Sequence, residues 1–447
     1  MEAVHPFVVR RRIDAAARGA ALATGAAALV ALFLGAGLFL GRNPLPVWMV
    51  LAFGVALLIP LALAIARYHT AVALGVLLLA VVRIEPAPSD LVFAVIIAVA
   101  FATGIFDLER VPLGVIALVS AFLALNLLSG IEATDPARAA QFFAITLYLG
   151  IFALWLSSYV CSVARARRVL LAYVAGAAIS AAVACAALFA PFPGAETFVT
   201  GPRAQGLFKD PNVFGPFLVP AALILMEETV APRLLRWRLL TKLAVLSVLT
   251  VGVVFSFSRA AWLNLVVGTV VLFAVLALRR GGAQKAFTLL AVALVAGAAL
   301  FGALAATSSL AFLEQRAAFQ DYDAQRFGAQ ATGLDLAAEH PVGIGPGQFE
   351  RTSEVSAHST YVRALAEQGV VGVLLILLLM ILTLGFAARN AALGRDTYGI
   401  GSAALLGAWC GLLANSFFVD TLHWRHLWLV AALVWAGTAL RMGYGRR

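Results

Sequence analysis

The chain has 447 residues, 63% of them hydrophobic and 12% charged, with a net charge of +10 at pH 7. Soluble domains carry roughly 45–50% apolar and about 25% charged residues, so a soluble globular protein is excluded and an integral membrane protein is expected. In a soluble chain the basic excess would suggest nucleic acid. Here it sits in short loops, where it sets topology, and no nucleic-acid partner is expected.

A helix needs about 17–25 apolar residues to cross the hydrocarbon core. Runs near 19–40, 46–66, 70–83, 90–106, 112–129, 141–160, 169–190, 212–228, 239–257, 260–278, 286–306, 361–388, 398–418 and 426–441 give fourteen candidate spans. The third and fourth are short, and the count becomes twelve if they form a re-entrant hairpin. The first run is long enough to span by itself, so no cleavable signal peptide is expected. With the N-terminus in the cytoplasm, alternation puts most of the 32 Lys and Arg on the cytoplasmic side and most of the 22 Asp and Glu outside, as the positive-inside rule requires. The fold class is all-α and polytopic. It divides into an N-terminal bundle of about eleven spans (1–306), an outer loop (307–360) and three C-terminal spans (361–447).

The three cysteines lie in or at the ends of spans with no ligand spacing, and no Asp-x-Asp, His-rich or Cys-rich site that would suggest a bound metal is expected. Neither a disulfide framework nor a metal is expected. There is no phosphate-binding Gly-x-x-x-x-Gly-Lys loop, so nucleotide hydrolysis is not expected either. Charged residues deep in the spans are nearly lacking, which argues against an ion-coupled transporter.

The outer loops carry the candidate chemistry. In 307–360, positions 310–338 have the spacing of an amphipathic helix that Pro341 ends. Gly343, Gly345 and Gly347 follow, and then His358 stands just before the next span, beside Tyr361 and Arg363. Histidine suits proton transfer near neutral pH; the alternative is an interfacial residue that only caps a helix. Arg259 follows Ser256-Phe257-Ser258 with almost no loop, on the side where topology does not call for a cation. Its guanidinium is shaped to grip phosphate oxygens two at a time. Arg203 and Lys209 flank Gly206 in a turn-rich loop that could present cations to an anion or be a solvated surface. Arg316 and Arg326 lie on the amphipathic helix, where a solvated face is the alternative. His423, Arg425 and His426 suit lipid headgroups, and Trp424 and Trp428 an interfacial aromatic belt.

Three pieces together resemble the O-antigen ligase and polymerase superfamily of bacterial membrane glycosyltransferases. They are Gly201-Pro202-Arg203 through Asn212, Ser258-Arg259-Ala260-Ala261-Trp262, and Pro341 through Phe349 leading into His358-Ser359. The ligase pattern of His, Ser, nine residues, Gly, two residues, Gly is met by His358, Ser359, Gly369 and Gly372. The resemblance spans about 200–375. It implies a GT-C-like membrane fold, a twelve-span plan, and location in the bacterial inner membrane with the site on the periplasmic face. It also implies an undecaprenyl-diphosphate-linked glycan donor and a lipid A–core or glycan acceptor, with no cofactor. His358 then activates the acceptor hydroxyl, Arg203 and Arg259 hold the pyrophosphate, and Lys209, Arg316, Arg326 and Tyr361 are possible supports. A polymerase of the same superfamily, or a flippase that binds the same pyrophosphate without chemistry, are the alternatives.

Overall fold

The computed structural model describes residues 47–279, 282–284 and 321–439, except 191 and 354, together with scattered positions between 286 and 318. The expected first span, most of 286–306, the start of the amphipathic helix and Arg316 lie outside the described residues. Fourteen helices are described: α1 (Val47–Ala66), α2 (Tyr68–Leu78), α3 (Pro88–Ala102), α4 (Leu113–Ser129), α5 (Pro136–Tyr159), α6 (Val163–Phe189), α7 (Pro211–Val230), α8 (Leu239–Phe255), α9 (Arg259–Leu278), α10 (Asp321–Glu339), α11 (Phe349–Thr352), α12 (Thr360–Ala392), α13 (Ser402–Asn415) and α14 (Arg425–Ala439). The described sheet is one small hairpin, β1 (Val199–Thr200) with β2 (Arg203–Ala204). The chain is an all-α polytopic membrane protein.

Six described helices are long and apolar enough to cross a membrane: α4 with its 3₁₀ extension, α5, α6, α7, α9 and α12. α2, α3, α8 and α13 are shorter apolar helices. At 1.5 Å per residue, the 11 residues of α2 cover only about half of a hydrocarbon core. Its flanks extend the reach. At its start His69 meets the Tyr159 hydroxyl at the end of α5 (3.0 Å). Beyond its end, Val82 exchanges backbone hydrogen bonds with Leu207 and Lys209 (2.8 and 3.0 Å), in the loop that carries Arg203.

Local sequence explains where the long helices begin. Pro136 and Pro211 occupy first-turn positions, while Asp135 accepts from the Arg138 N–H and Asp210 from the Asn212 N–H. A helix start has unpaired N–H groups for such carboxylates, and proline costs nothing there. Small residues let the core close. α9 and α13 approach so tightly that a Cβ on Gly268 or Gly407 would press on the other glycine's carbonyl, the backbone-to-backbone packing that lipid-embedded helices favour.

The loops that alternation puts on one side meet one another. Gln348 bonds Thr134 and Asp135, Arg203 bonds Ser256, and Arg363 pairs with Asp420. At the other end, Arg279 bonds Glu227 and Ser402, and Arg233 pairs with Glu227 and Asp396.

Candidate active site

The site begins at the turn between α8 and α9. The Ser256 hydroxyl donates back to the Val253 carbonyl (2.7 Å). Phe257 takes a left-handed backbone (φ 46°), and Ser258 caps α9. Arg259 is therefore the first residue of a helix, set beside the membrane boundary without a loop to carry it away. Its guanidinium donates to the Ala318 carbonyl (3.4 Å). Phe257 is buried and meets Phe312 edge-on (4.7 Å). The packing thus holds a conformation that costs a bulky residue of order 1–3 kcal/mol.

His358 has the same left-handed backbone (φ 46°). Ser359 caps α12 by accepting from the Val362 N–H, and the Thr360 N–H donates to Ser416 (2.9 Å). The glycines of the ligase-like pattern hold this junction. Gly369 breaks α12 (φ 69°, ψ −171°). A Cβ there would collide with the Pro341 carbonyl, and one on Gly343 with the Glu367 carbonyl. The 341–347 run is consequently laid against the break, with the N–H groups of Ile344 and Gly345 donating to Ala366 and Glu367 (both 3.0 Å). These glycines do structural work: they fasten the outer loop to α12 so that His358 has one place to be.

Arg259, Arg326, His358 and Gln330 line one cleft of about 270 Å³ with Ala260, Leu263, Phe327 and Phe418. Cations and an imidazole are thus set among apolar walls. Arg326 comes from α10, whose Gln330 donates to the His358 carbonyl (3.5 Å). Burial lowers the His358 pKa to about 4. The Arg326 charge pushes the same way, and Asp210 and Asp420 oppose it. The imidazole is therefore neutral near pH 7 and can accept a proton.

The other expected residues fall elsewhere. Arg203 stands behind the Arg259 turn: its Nε donates to the Ser256 carbonyl (2.9 Å) and its Nη2 to Asn212 Oδ1 (2.8 Å). Lys209 pairs with Glu85 (2.8 Å) in a half-exposed bridge. The Tyr361 hydroxyl donates to the Leu413 carbonyl and its ring packs on Phe417, which ties α12 to α13. The headgroup and aromatic-belt expectations for the last loop are corrected. Arg425 pairs with Asp90 of α3 (2.6 Å at Nε), His423 meets Thr146, and His426, Trp424 and Trp428 are buried. A charge inside a bundle needs a partner rather than a surface, and Arg425 has one in Asp90.

Sequence reasoning passed over Arg363 as more than a neighbour. It is buried between α12 and the last loop, ion-paired to Glu350, Asp420 (3.0 Å) and Glu367 (3.6 Å). Removing one partner from such a buried set costs about 3–5 kcal/mol. Its three acids come from three segments, so the hub joins α11, α12 and the last loop beneath His358. The expectation of no Asp-x-Asp is corrected: Asp321-Tyr322-Asp323, with that spacing, opens α10. Among the described residues no three His, Cys, Asp or Glu gather as a metal-ligand set.

Residues 243–377 match the family model for O-antigen ligase. The match covers Arg259, Arg326, His358, Gly369 and Gly372 and stops short of Arg203 and Lys209. The segment that builds most of the cleft is therefore similar to the O-antigen ligase family. No curated protein matches the chain.

Proposed function

We propose, from a cleft that falls largely within the O-antigen ligase match, that the chain is a glycosyltransferase. It moves a glycan from undecaprenyl diphosphate to a sugar hydroxyl of lipid A–core on the periplasmic face of the inner membrane. The observation that carries this reading is the single cleft holding His358, Arg259 and Arg326 between the apolar walls of Leu263, Phe327 and Phe418. A diphosphate with a polyprenyl tail matches that pairing of charge and apolar surface. The tail stays in lipid while the phosphates meet the guanidinium groups.

The step is a displacement with inversion. The acceptor hydroxyl gives its proton to the neutral His358 imidazole as its oxygen bonds the anomeric carbon. The bond from that carbon to the diphosphate oxygen breaks, and undecaprenyl diphosphate leaves. Arg259 and Arg326 stabilise the charge that grows on the leaving group, where fixed cations in a water-poor cleft act strongly. Arg203 holds the Arg259 turn and adds to the same positive field. Bound diphosphate would also offset the Arg326 charge and raise the His358 pKa from about 4. The base then gains strength once the donor is in place.

The test is transfer by purified full-length protein in detergent, with an undecaprenyl-diphosphate-linked glycan and lipid A–core, read as glycan shifted onto the acceptor. Lipid A–core should be glycosylated. If glycan is instead added to a second lipid-linked glycan, the protein is a polymerase. Donor binding without transfer to either acceptor would overturn the enzyme in favour of a carrier.

A further inference from the structure

A second polar cleft opens on the face opposite His358. It has about 290 Å³ and is lined by Gly104, Ile105, Asp107, Arg110, Ser158 and Arg165. Three segments build it: the turn after α3, the end of α5 and the start of α6. The Asp107 N–H donates to Ser158 Oγ (3.1 Å), fastening that turn to α5. Arg165 lies in the first turn of α6, whose cap is Ser162. Its guanidinium lies over the Tyr159 ring (5.2 Å) and donates to the Tyr159 carbonyl (3.3 Å) and Cys161 Sγ (3.2 Å).

The charges do not cancel. Arg110 is paired with Asp107 (2.9 Å). Among the described residues Arg165 has no carboxylate partner; its acceptors are one carbonyl and one sulfur. Arg168 and His69 lie close by, around Tyr159 and Arg165. Of the two nearby acids, Asp107 lines the cleft, and Glu109 is exposed on the adjoining turn. We infer that this cleft binds a phosphate group, gripped by Arg110 and Arg165 beside the start of α6. Guanidinium forks favour phosphate oxygens, and here two of them line one cavity.

The rim points to the source. Ile105 lines the cleft and is 44% exposed, and Phe101 and Val163, on the end of α3 and the start of α6 that flank it in sequence, are also exposed (61% and 58%). Apolar side chains beside a cationic hollow suit a phospholipid, with its headgroup phosphate in the cleft and its acyl chains along the rim. A free phosphate uses the same cations but has no use for the rim. The inference is independent of the chemistry at His358.

The experiment uses the full chain in zwitterionic detergent, titrated separately with phosphatidylglycerol, phosphatidylcholine and inorganic phosphate. It is read by native mass spectrometry and melting temperature. Wild type should hold phosphatidylglycerol about tenfold more tightly than Arg110→Gln/Arg165→Gln, the effect of losing charge-assisted contacts. Phosphatidylcholine should bind weakly to both. Arg389→Gln, an exposed arginine outside the cleft, should behave as wild type. Arg165→Lys keeps the charge and should lose only part of the affinity, so the inference stays testable if the double variant folds poorly. Stabilisation of wild type but not the double variant by inorganic phosphate, with phosphatidylglycerol no better, supports the anion site and assigns it to free phosphate. Equal response of wild type and both arginine variants to every anion would overturn the site.

Discussion

Arg203 Nε donates to the carbonyl of Ser256 at 2.9 Å while its Nη2 holds Asn212 Oδ1 at 2.8 Å. One guanidinium therefore ties the β-hairpin and the start of α7 to the turn that aims Arg259. Lysine keeps the charge but cannot span both acceptors. Arg203→Lys should lower kcat about 10²-fold, the scale of a small misplacement in a reacting site, with little change in donor KM. If Arg203 grips the diphosphate directly, the loss will appear in KM instead, and steady-state kinetics with donor as the varied substrate separate the two.

Arg259 is expected to act on the phosphates themselves. Arg259→Ala should abolish transfer with little loss of folded protein, because the side chain lines an open cleft rather than a core. Arg259→Lys should recover a small part, through charge without the two-pronged geometry. Size-exclusion profile and transfer rate on the same preparations check this. Wild-type turnover in Arg259→Lys would remove the clamp.

The pH profile follows from burial. With a His358 pKa of about 4, the imidazole is in its base form down to about pH 5. Then kcat/KM, which reports the free enzyme, should fall only as pH drops through about 4. An ordinary histidine would lose activity around 6.5. The acid limb of kcat should lie higher than that of kcat/KM, because the donor's negative charge favours the imidazolium. Coincident limbs near 6.5 would mean that the imidazole is neither buried nor under the field of Arg326 in the working enzyme.

Transfer is expected to survive EDTA. If chelation abolishes it and Mg²⁺ or Mn²⁺ restores it, the metal-free step is wrong, and Asp321 and Asp323 at the start of α10 become the first positions to replace.

The long helices were legible because each reads locally, as apolar length between capping or charged residues. The pairing of loops by side followed from alternation and arginine placement, which hold even where α2 is too short to span as a helix. Arg259 and His358 stood out as polar groups at a boundary with no topological reason to be there. The interior polar contacts were not legible. Arg425 looks like a headgroup residue until Asp90, 335 positions earlier, arrives beside it. Arg363 looks like a surface cation with one neighbour a helical turn on, Glu367, until Glu350 and Asp420 from two other segments close around it. Trp424 and Trp428 carry the composition of an interface but face helices. No local pattern encodes such partners, since they are fixed by how the bundle closes. Gly343 and Gly369 were visible as a spacing, but their task of laying the outer loop against a broken α12 needs both segments in view.

The last prediction separates enzyme from carrier. If His358 takes the acceptor proton, His358→Ala should reduce transfer by roughly 10²–10⁴-fold. Donor binding should change far less, because the phosphates sit on arginines. His358→Gln keeps similar size and hydrogen bonding but has no basic nitrogen, so it should be nearly as inactive. Both variants also meet the left-handed backbone at this position (φ 46°), which neither side chain relieves. Any strain is thus shared, and melting temperature measures it. A histidine that only shapes the junction predicts that Gln works and that loss follows protein abundance. Transfer assayed beside donor binding and melting temperature decides between them. Full turnover by His358→Gln at normal folded yield would remove the imidazole from the reaction.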